Sequence, residues 1–138
     1  MGDHAGALEA YERALAIQRA ALGDGHAKVG SMWAQIGLCR SGMGDYTGAL
    51  EAYERALAIE RAALGDHHDE VGSTWAHIGV CRSSMGDYAG ALEPLCIARD
   101  TLAFLLSPNH RQVTALDTAI SVLTKAGLKR QLARQRSP

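Results

Sequence analysis

The chain has 138 residues, 47% of them hydrophobic and 21% charged, which is enough apolar side chain to offset the ordering entropy of one domain. Its 15 glycines show no triplet period and its cysteines number 3, which excludes a collagen and a disulfide framework. With 14 Lys and Arg against 15 Asp and Glu the net charge is -1, so a general binder of nucleic acid or anionic membrane is not expected.

The sequence repeats. Residues 1–42 recur as residues 43–84 with about 32 of 42 positions identical, and a third copy opens at Met85 as MGDYAGALEPL before decaying. That copy regains the phase at Ser107-Pro108-Asn109-His110 through Val113, opposite Gly65-Asp66-His67-His68 through Val71. Periods of roughly 20 to 50 residues mean a solenoid or an array. One domain is therefore expected over 1–126, in units 1–42, 43–84 and 85–126, followed by a basic tail over 127–138.

In chain order, the first element is a helix over about Asp3 to Leu22 and the second a helix near 27–41. The third, Asp45 to Leu64, is dense in Ala, Leu, Glu and Arg, the strongest helix formers. Its Ala49, Leu50, Tyr53, Ala56, Leu57 and Leu64 form one stripe at spacings of three and four. Glu51 precedes Arg55 by four residues, the favourable order for a helical ion pair, and Gly65 supplies the stop. The fourth element, about Asp69 to Ser83, places Val71, Trp75, Ile78, Gly79 and Arg82 on one face, with Gly79 admitting a neighbouring helix closely. The turn Met85-Gly86-Asp87 sets Asp87 to cap a fifth helix.

The fifth helix carries Pro94 where earlier copies have Ala10 and Ala52. A lost backbone bond, at about 3 kcal/mol, predicts a kink at Gly90–Pro94. The sixth helix is expected over 110–126. In this third copy Asp117 replaces Trp33 and Trp75, and Arg99 replaces Leu15 and Leu57, as suits a terminal repeat with a polar outer face. No strand-like alternation appears, so the fold class is all-α.

The run Trp33, Ile36, Gly37, Gly44, Asp45, Tyr46, Ala49, Leu50, Tyr53, Ala56 and Leu57 resembles the tetratricopeptide repeat (TPR) signature. It recurs as Trp75, Ile78, Gly79, Gly86, Asp87, Tyr88, Ala91, Leu92 and Ala98. The usual repeat has about 34 residues; the longer unit here, with its run from Ala63 to Val71, resembles kinesin light chain-like repeats. This resemblance covers residues 1 to about 126. It implies an α-solenoid with a right-handed superhelix and about six helices in the order B, A, B, A, B, A, where A and B are the two helices of a family repeat. Met1 aligns with Met43 and Met85, so a fragment of a longer array is one reading of the chain.

In the family the A helices line a concave groove that holds an extended peptide or a helix. By position, that lining would be Ser31, Ala34, Gln35, Leu38 and Ser41, then Ser73, Ala76, His77, Val80 and Ser83, then Thr118, Ala119 and Val122. These positions lack the Lys, Arg and Asn with which some family members clamp a C-terminal carboxylate. Ala34-Gln35 and Ala76-His77 stand where kinesin light chain-like repeats tend to carry paired asparagines. The expected groove is small, neutral and mildly apolar, with His77 a candidate for pH sensitivity.

No Gly-rich phosphate loop, H-E-x-x-H, paired C-x-x-C or nucleophile elbow is present. No catalytic residue, metal or cofactor is therefore expected. His67-His68-Asp69-Glu70 reads either as a set of metal ligands or as a helix start, and the recurrence of His68 as His26 and His110 marks a packing position. Cys39 and Cys81, followed by Arg40 and Arg82, read either as cation-activated thiols or as small buried fillers. The arginines are expected to lay their stems on the core and keep the guanidinium in water, or to be structural where one pairs with a glutamate of an adjacent helix. Lys125, Lys129, Arg130, Arg134 and Arg136 offer either a phosphate or lipid contact or a solvated continuation of the last helix that frays before Ser137-Pro138.

The leading expectation is a non-enzymatic adaptor or scaffold that takes a protein or peptide partner in the groove. The alternative is a structural, self-assembling element, a homo-oligomer through its terminal helices, with Leu102, Phe104, Leu105 and Leu106 as apolar surface. No nucleic-acid or membrane partner is expected, since no run approaches the ~18 apolar residues of a span and no charged-then-apolar leader is read. Three thiols suit a reducing, cytoplasmic address.

Overall fold

The computed structural model describes residues 3–136. Six helices make it up: α1 (His4–Leu22), α2 (Ala27–Gly42), α3 (Tyr46–Leu64), α4 (Asp69–Ser84), α5 (Tyr88–Leu105) and α6 (Arg111–Arg136). No strand occurs among the described residues. Helix starts repeat with the sequence. Asp3, Asp45 and Asp87 cap α1, α3 and α5 by accepting from the backbone N–H of Gly6, Gly48 and Gly90 at 2.9–3.0 Å. His26, His68 and His110 serve α2, α4 and α6 through Nδ1, which accepts from the N–H of Lys28, Glu70 and Gln112 at 3.1–3.2 Å. This is the physical content of the recurring histidine. At the other end, α1 and α3 stop on Gly23 and Gly65 with φ of 89° and 87°, a region that glycine adopts without strain.

Neighbouring helices pack in chain order, most extensively α2 on α3 and α4 on α5. Glycine makes these two contacts close. A Cβ on Gly37 would sit 2.5 Å from the Tyr53 ring, and one on Gly79 would sit 2.5 Å from Leu95 Cγ. Tyr53 and Leu95 are both buried, so α2 and α4 each carry a notch that the following B helix fills with a large side chain. Three apolar clusters result, centred on Ile36 and Ala52, on Tyr53 and Ile78, and on Leu95 and Val113. Each is built from neighbouring helices, as expected of a solenoid. Cys81 belongs to the second cluster and Cys39 is likewise buried, and burial pushes both thiols up, which is the filler role rather than the activated one.

Several sequence expectations change in three dimensions. Helix α5 runs unbroken from Tyr88 to Leu105 through Pro94. Pro94 cannot donate to the Gly90 carbonyl, but Arg82 Nη1 donates to it at 3.1 Å. Arg40 makes the same bond to the Gly48 carbonyl at 3.1 Å, although that carbonyl also has the helical N–H of Ala52. The two arginines are therefore latches from an A helix to the next B helix, not groups left in water. The worn positions of the third copy complement each other, because Arg99 Nη1 donates to Asp117 Oδ1 at 3.3 Å. In the second copy Leu57 and Trp75 share an apolar cluster at the same place.

Glu51 and Arg55 do not pair among the described residues; Arg55 lies over the Trp33 ring, 4.8 Å from its centroid. The matching Glu9–Arg13 pair of the first copy does form, at 2.9 Å. Helix α6 continues to Arg136, and Arg130 covers the Tyr88 ring at 4.5 Å. Ser137 and Pro138, where fraying is expected, lie outside the described residues, as do Met1 and Gly2.

The latches make unequal contributions. Arg82→Met leaves the Gly90 carbonyl with no donor and should cost about 1–2 kcal/mol. Arg40→Met, whose target keeps its helical bond, should cost less than about 1 kcal/mol. Urea unfolding of the two variants checks the order.

Candidate functional site

Helices α2 and α4 meet directly, with α3 behind them. A cleft of about 200 Å³ opens between them. Helix α2 supplies Ser31, Ala34, Gln35 and Leu38, α4 supplies Asp69, Glu70, Ser73, Thr74 and His77, and Glu60 comes from α3. A second cleft of about 270 Å³ lies between α4 and α6, lined by Val80, Ser83, Ser84, Leu95, Ala119, Val122 and Leu123. Of the residues carried over by position, Ser31, Ala34, Gln35, Leu38, Ser73 and His77 thus share the first cleft, and Val80, Ser83, Ala119 and Val122 the second. Ser41, Ala76 and Thr118 line neither. Ala76 packs half-buried against the third cluster, and the exposed Thr118 donates to the Thr114 carbonyl at 3.0 Å.

The second cleft is apolar, as expected. The first is not, and the expectation of a neutral groove fails there because three carboxylates reach it. Asp69 and Glu70 stand in the first turn of α4, where a helix N-terminus favours negative charge, and Ser31 Oγ donates to Glu70 Oε2 at 3.3 Å. Glu60 is only 2% exposed. Thr74 Oγ1 donates to its Oε1 at 2.7 Å; among the described residues, no hydrogen bond or ion pair reaches Oε2. Burial pushes the Glu60 carboxyl up to about 7 from its ordinary 4.5; the Thr74 bond opposes this, the charge of Glu70 adds to it, and His68 opposes it. His77 stacks on Tyr53 with ring centroids 5.6 Å apart and planes 16° apart. Burial lowers its pKa below the ordinary 6.5, which leaves the ring largely neutral near pH 7.

Glu60 is the site residue that sequence reading passes over. The signal for it lay in the register, since its counterparts one period away are Gln18 and Leu102, and Leu102 is buried. The partner position changes with it, from Met32 through Thr74 to Leu116. Where Met32 offers no donor, Gln18 Oε1 is buried without a hydrogen-bond partner. The eye-catching His67-His68-Asp69-Glu70 run disperses instead. His67 turns to Phe104 at 5.4 Å between ring centroids, and His68 caps α4. Among the described residues no group of three or more His, Cys, Asp or Glu is arranged to hold a metal ion. No described helix is long and apolar enough to cross a membrane.

Stacked helical hairpins, glycine-notched and open along their A helices, define the class as an α-solenoid. The tetratricopeptide repeat profile matches residues 1–59 and 28–101, and the chain belongs to that family. Among solved structures it is similar to BtubC (BKLC) from P. vanneervenii, with a TM-score of 0.80 and 20% identity over 93% of this chain and 51% of that one. It is similar also to a Podosopora anserina protein described as a kinesin light chain with nearly identical TPR-like repeats: TM-score 0.82, 21% identity, 96% of this chain and 63% of that one. The chain therefore spans less than two thirds of either. The type III secretion translocator chaperone SycD of Yersinia enterocolitica matches with a TM-score of 0.63 and 20% identity, over 89% of this chain and 76% of that one. No curated protein matches the sequence.

A carboxyl raised by burial makes stability fall as pH rises. Between about 4.5 and 7 the folded chain holds a proton on Glu60 that the unfolded chain has released. Stability should drop by roughly 2 kcal/mol across that window on this account. The double variant Glu60→Leu/Thr74→Leu copies the buried Leu102 and Leu116 of the third repeat and removes the titrating group. Relative to wild type it should be more stable at pH 8 by about that amount, with the difference shrinking toward pH 4.5 in a series of denaturation curves.

Proposed function

We propose that the chain is a non-enzymatic interaction module, an adaptor or scaffold that takes a protein segment along the face built by α2, α4 and α6. The observation that carries this reading is the pair of adjoining clefts on that face. Exposed Leu38 and Val80, at 39% and 56%, together with Val122, offer apolar surface to a partner there. The same helical-hairpin architecture in a secretion translocator chaperone supports a protein-handling role. In this reading residues 1–126 are the interaction domain, 127–138 a basic extension, and the free cysteines suit a reducing compartment such as the cytoplasm.

The test is a peptide selection on the whole chain, repeated on Leu38→Glu/Val80→Glu. Both positions are exposed, so the substitutions should leave folding intact. Selected peptides should lose at least tenfold in affinity for the variant, a loss on the scale of one buried apolar contact. Equal affinity for wild type and folded variant rejects the face.

A second reading rests on Phe104, which is 76% exposed beside exposed Leu105 and Leu106. These three, without Leu102, would join copies of the chain; Leu102 is 3% exposed and belongs to the core. Light scattering should then show mass rising with concentration, and Phe104→Glu should restore the monomer. A monomer mass at every concentration removes this reading.

A further inference from the structure

The first cleft is narrow, with Glu60 as the only member that comes from the layer behind α2 and α4. Its polar character is local to the second repeat. The first repeat has Gln18 and Met32 at the corresponding positions, and the third has Leu102 and Leu116. A carboxylate has about four lone-pair sites, and Thr74 uses one of those on Oε1 while Oε2 has no partner among the described residues. The side chain as a whole is only 2% exposed, yet it lines the cleft, so Oε2 is left for a donor that enters there. Gly30 contributes to the fit from α2, since a Cβ there would lie 3.0 Å from Glu60 Cγ.

The surrounding charges are one-sided. Asp69 and Glu70 stand at the mouth, and none of the cleft's lining residues is Lys or Arg. Of the neighbouring histidines, His77 is kept largely neutral by burial, and His68, whose Nδ1 lies 2.9 Å from Asp69 Oδ1, stands outside the lining. A metal ion would need a ligand group that the described residues do not form.

We propose that this cleft is an anchor for one cationic side chain, an arginine or lysine of the partner segment, which inserts between α2 and α4 and pairs with Glu60 while Asp69 and Glu70 hold the mouth. The proposal rests on the peptide-binding reading above and gives it a specificity. A guanidinium or ammonium supplies donors to the idle Oε2 and compensates the buried charge, and charge-assisted bonds of this kind are among the strongest available. The long aliphatic stem of such a residue suits the Ala34 and Leu38 wall. The apolar cleft toward α6 then takes a neighbouring uncharged side chain.

Two acetylated, amidated heptapeptides of alanine and leucine, identical but for a central arginine or a central glutamine, provide the probe. Titrated into the intact ¹⁵N-labelled chain, the arginine peptide should bind about tenfold more tightly, as one bond to a charged group implies. Its shifts should centre on Ser31, Gln35, Ser73 and Thr74. Glu60→Gln should bring the two peptides to parity. That variant installs the residue the first repeat already carries at Gln18, and unchanged amide dispersion verifies its fold. Should it not fold, Asp69→Asn/Glu70→Gln, at exposed positions, should lower the preference two- to threefold.

Equal binding of both peptides to wild type, with shifts along α2 and α4, overturns the cation anchor and leaves the peptide-binding face standing. No binding of either peptide overturns both for this chain. An arginine preference that survives intact in folded Glu60→Gln shows diffuse attraction to acidic surface and overturns the role given to Glu60.

Discussion

Everything in this molecule depends on two glycine notches. Gly37 and Gly79 allow α2 and α4 to approach α3 and α5 so closely that a single added methyl would meet Tyr53 or Leu95 at 2.5 Å. Those large side chains are buried in the gap and cannot swing clear without opening the core. The notch fixes how far each A helix stands from the next B helix. It therefore also fixes the spacing of A helices along the face where both clefts lie. Arg40 and Arg82 add a polar latch at the same junctions, and in the third repeat that latch serves the carbonyl that Pro94 leaves without a helical donor.

The notch explains why a solenoid with little aromatic content holds together. At the α2–α3 and α4–α5 junctions one large residue is buried against a bare backbone in addition to the interleaved apolar clusters, so close approach supplements bulk. The junctions are similar without being identical. Tyr53 in one becomes Leu95 in the next, and the Leu57–Trp75 neighbourhood becomes the Arg99–Asp117 pair. Repetition preserves the geometry while each repeat varies the chemistry it places behind the face. The buried acid of the second repeat is one such variation.

Much of the fold was legible because the repeat carries its own punctuation. Asp45 and Asp87 announce helix starts, Gly65 announces a stop, and the apolar stripe through Ala49, Tyr53 and Ala56 gives the buried side. The clefts were legible only in part. The resemblance to the repeat family implies which A-helix positions face the groove, so Ser31, Gln35, Leu38, Ser73 and His77 could be carried over by position, and they do share a cleft. Glu60 could not be, because a glutamate in a helix rich in Ala, Glu and Arg resembles any solvated one until its helix is seen from behind. Arg99 and Asp117 pose the same difficulty. Each breaks an apolar pattern alone, and only the apposition of α5 and α6 shows that they pair. The donor that serves the Gly90 carbonyl beside Pro94 was hidden for a related reason, since Arg82 comes from the preceding helix.

The central claim is that helix packing holds a carboxyl group out of water at the base of the face between α2 and α4. A ¹³C-detected titration of the glutamate side chains reads this directly. One carboxyl, lost from the spectrum of Glu60→Gln, should titrate near 7, well apart from the others. If Glu60 titrates with them, near 4.5, the carboxyl is solvated, and the cleft built around it is not the one described.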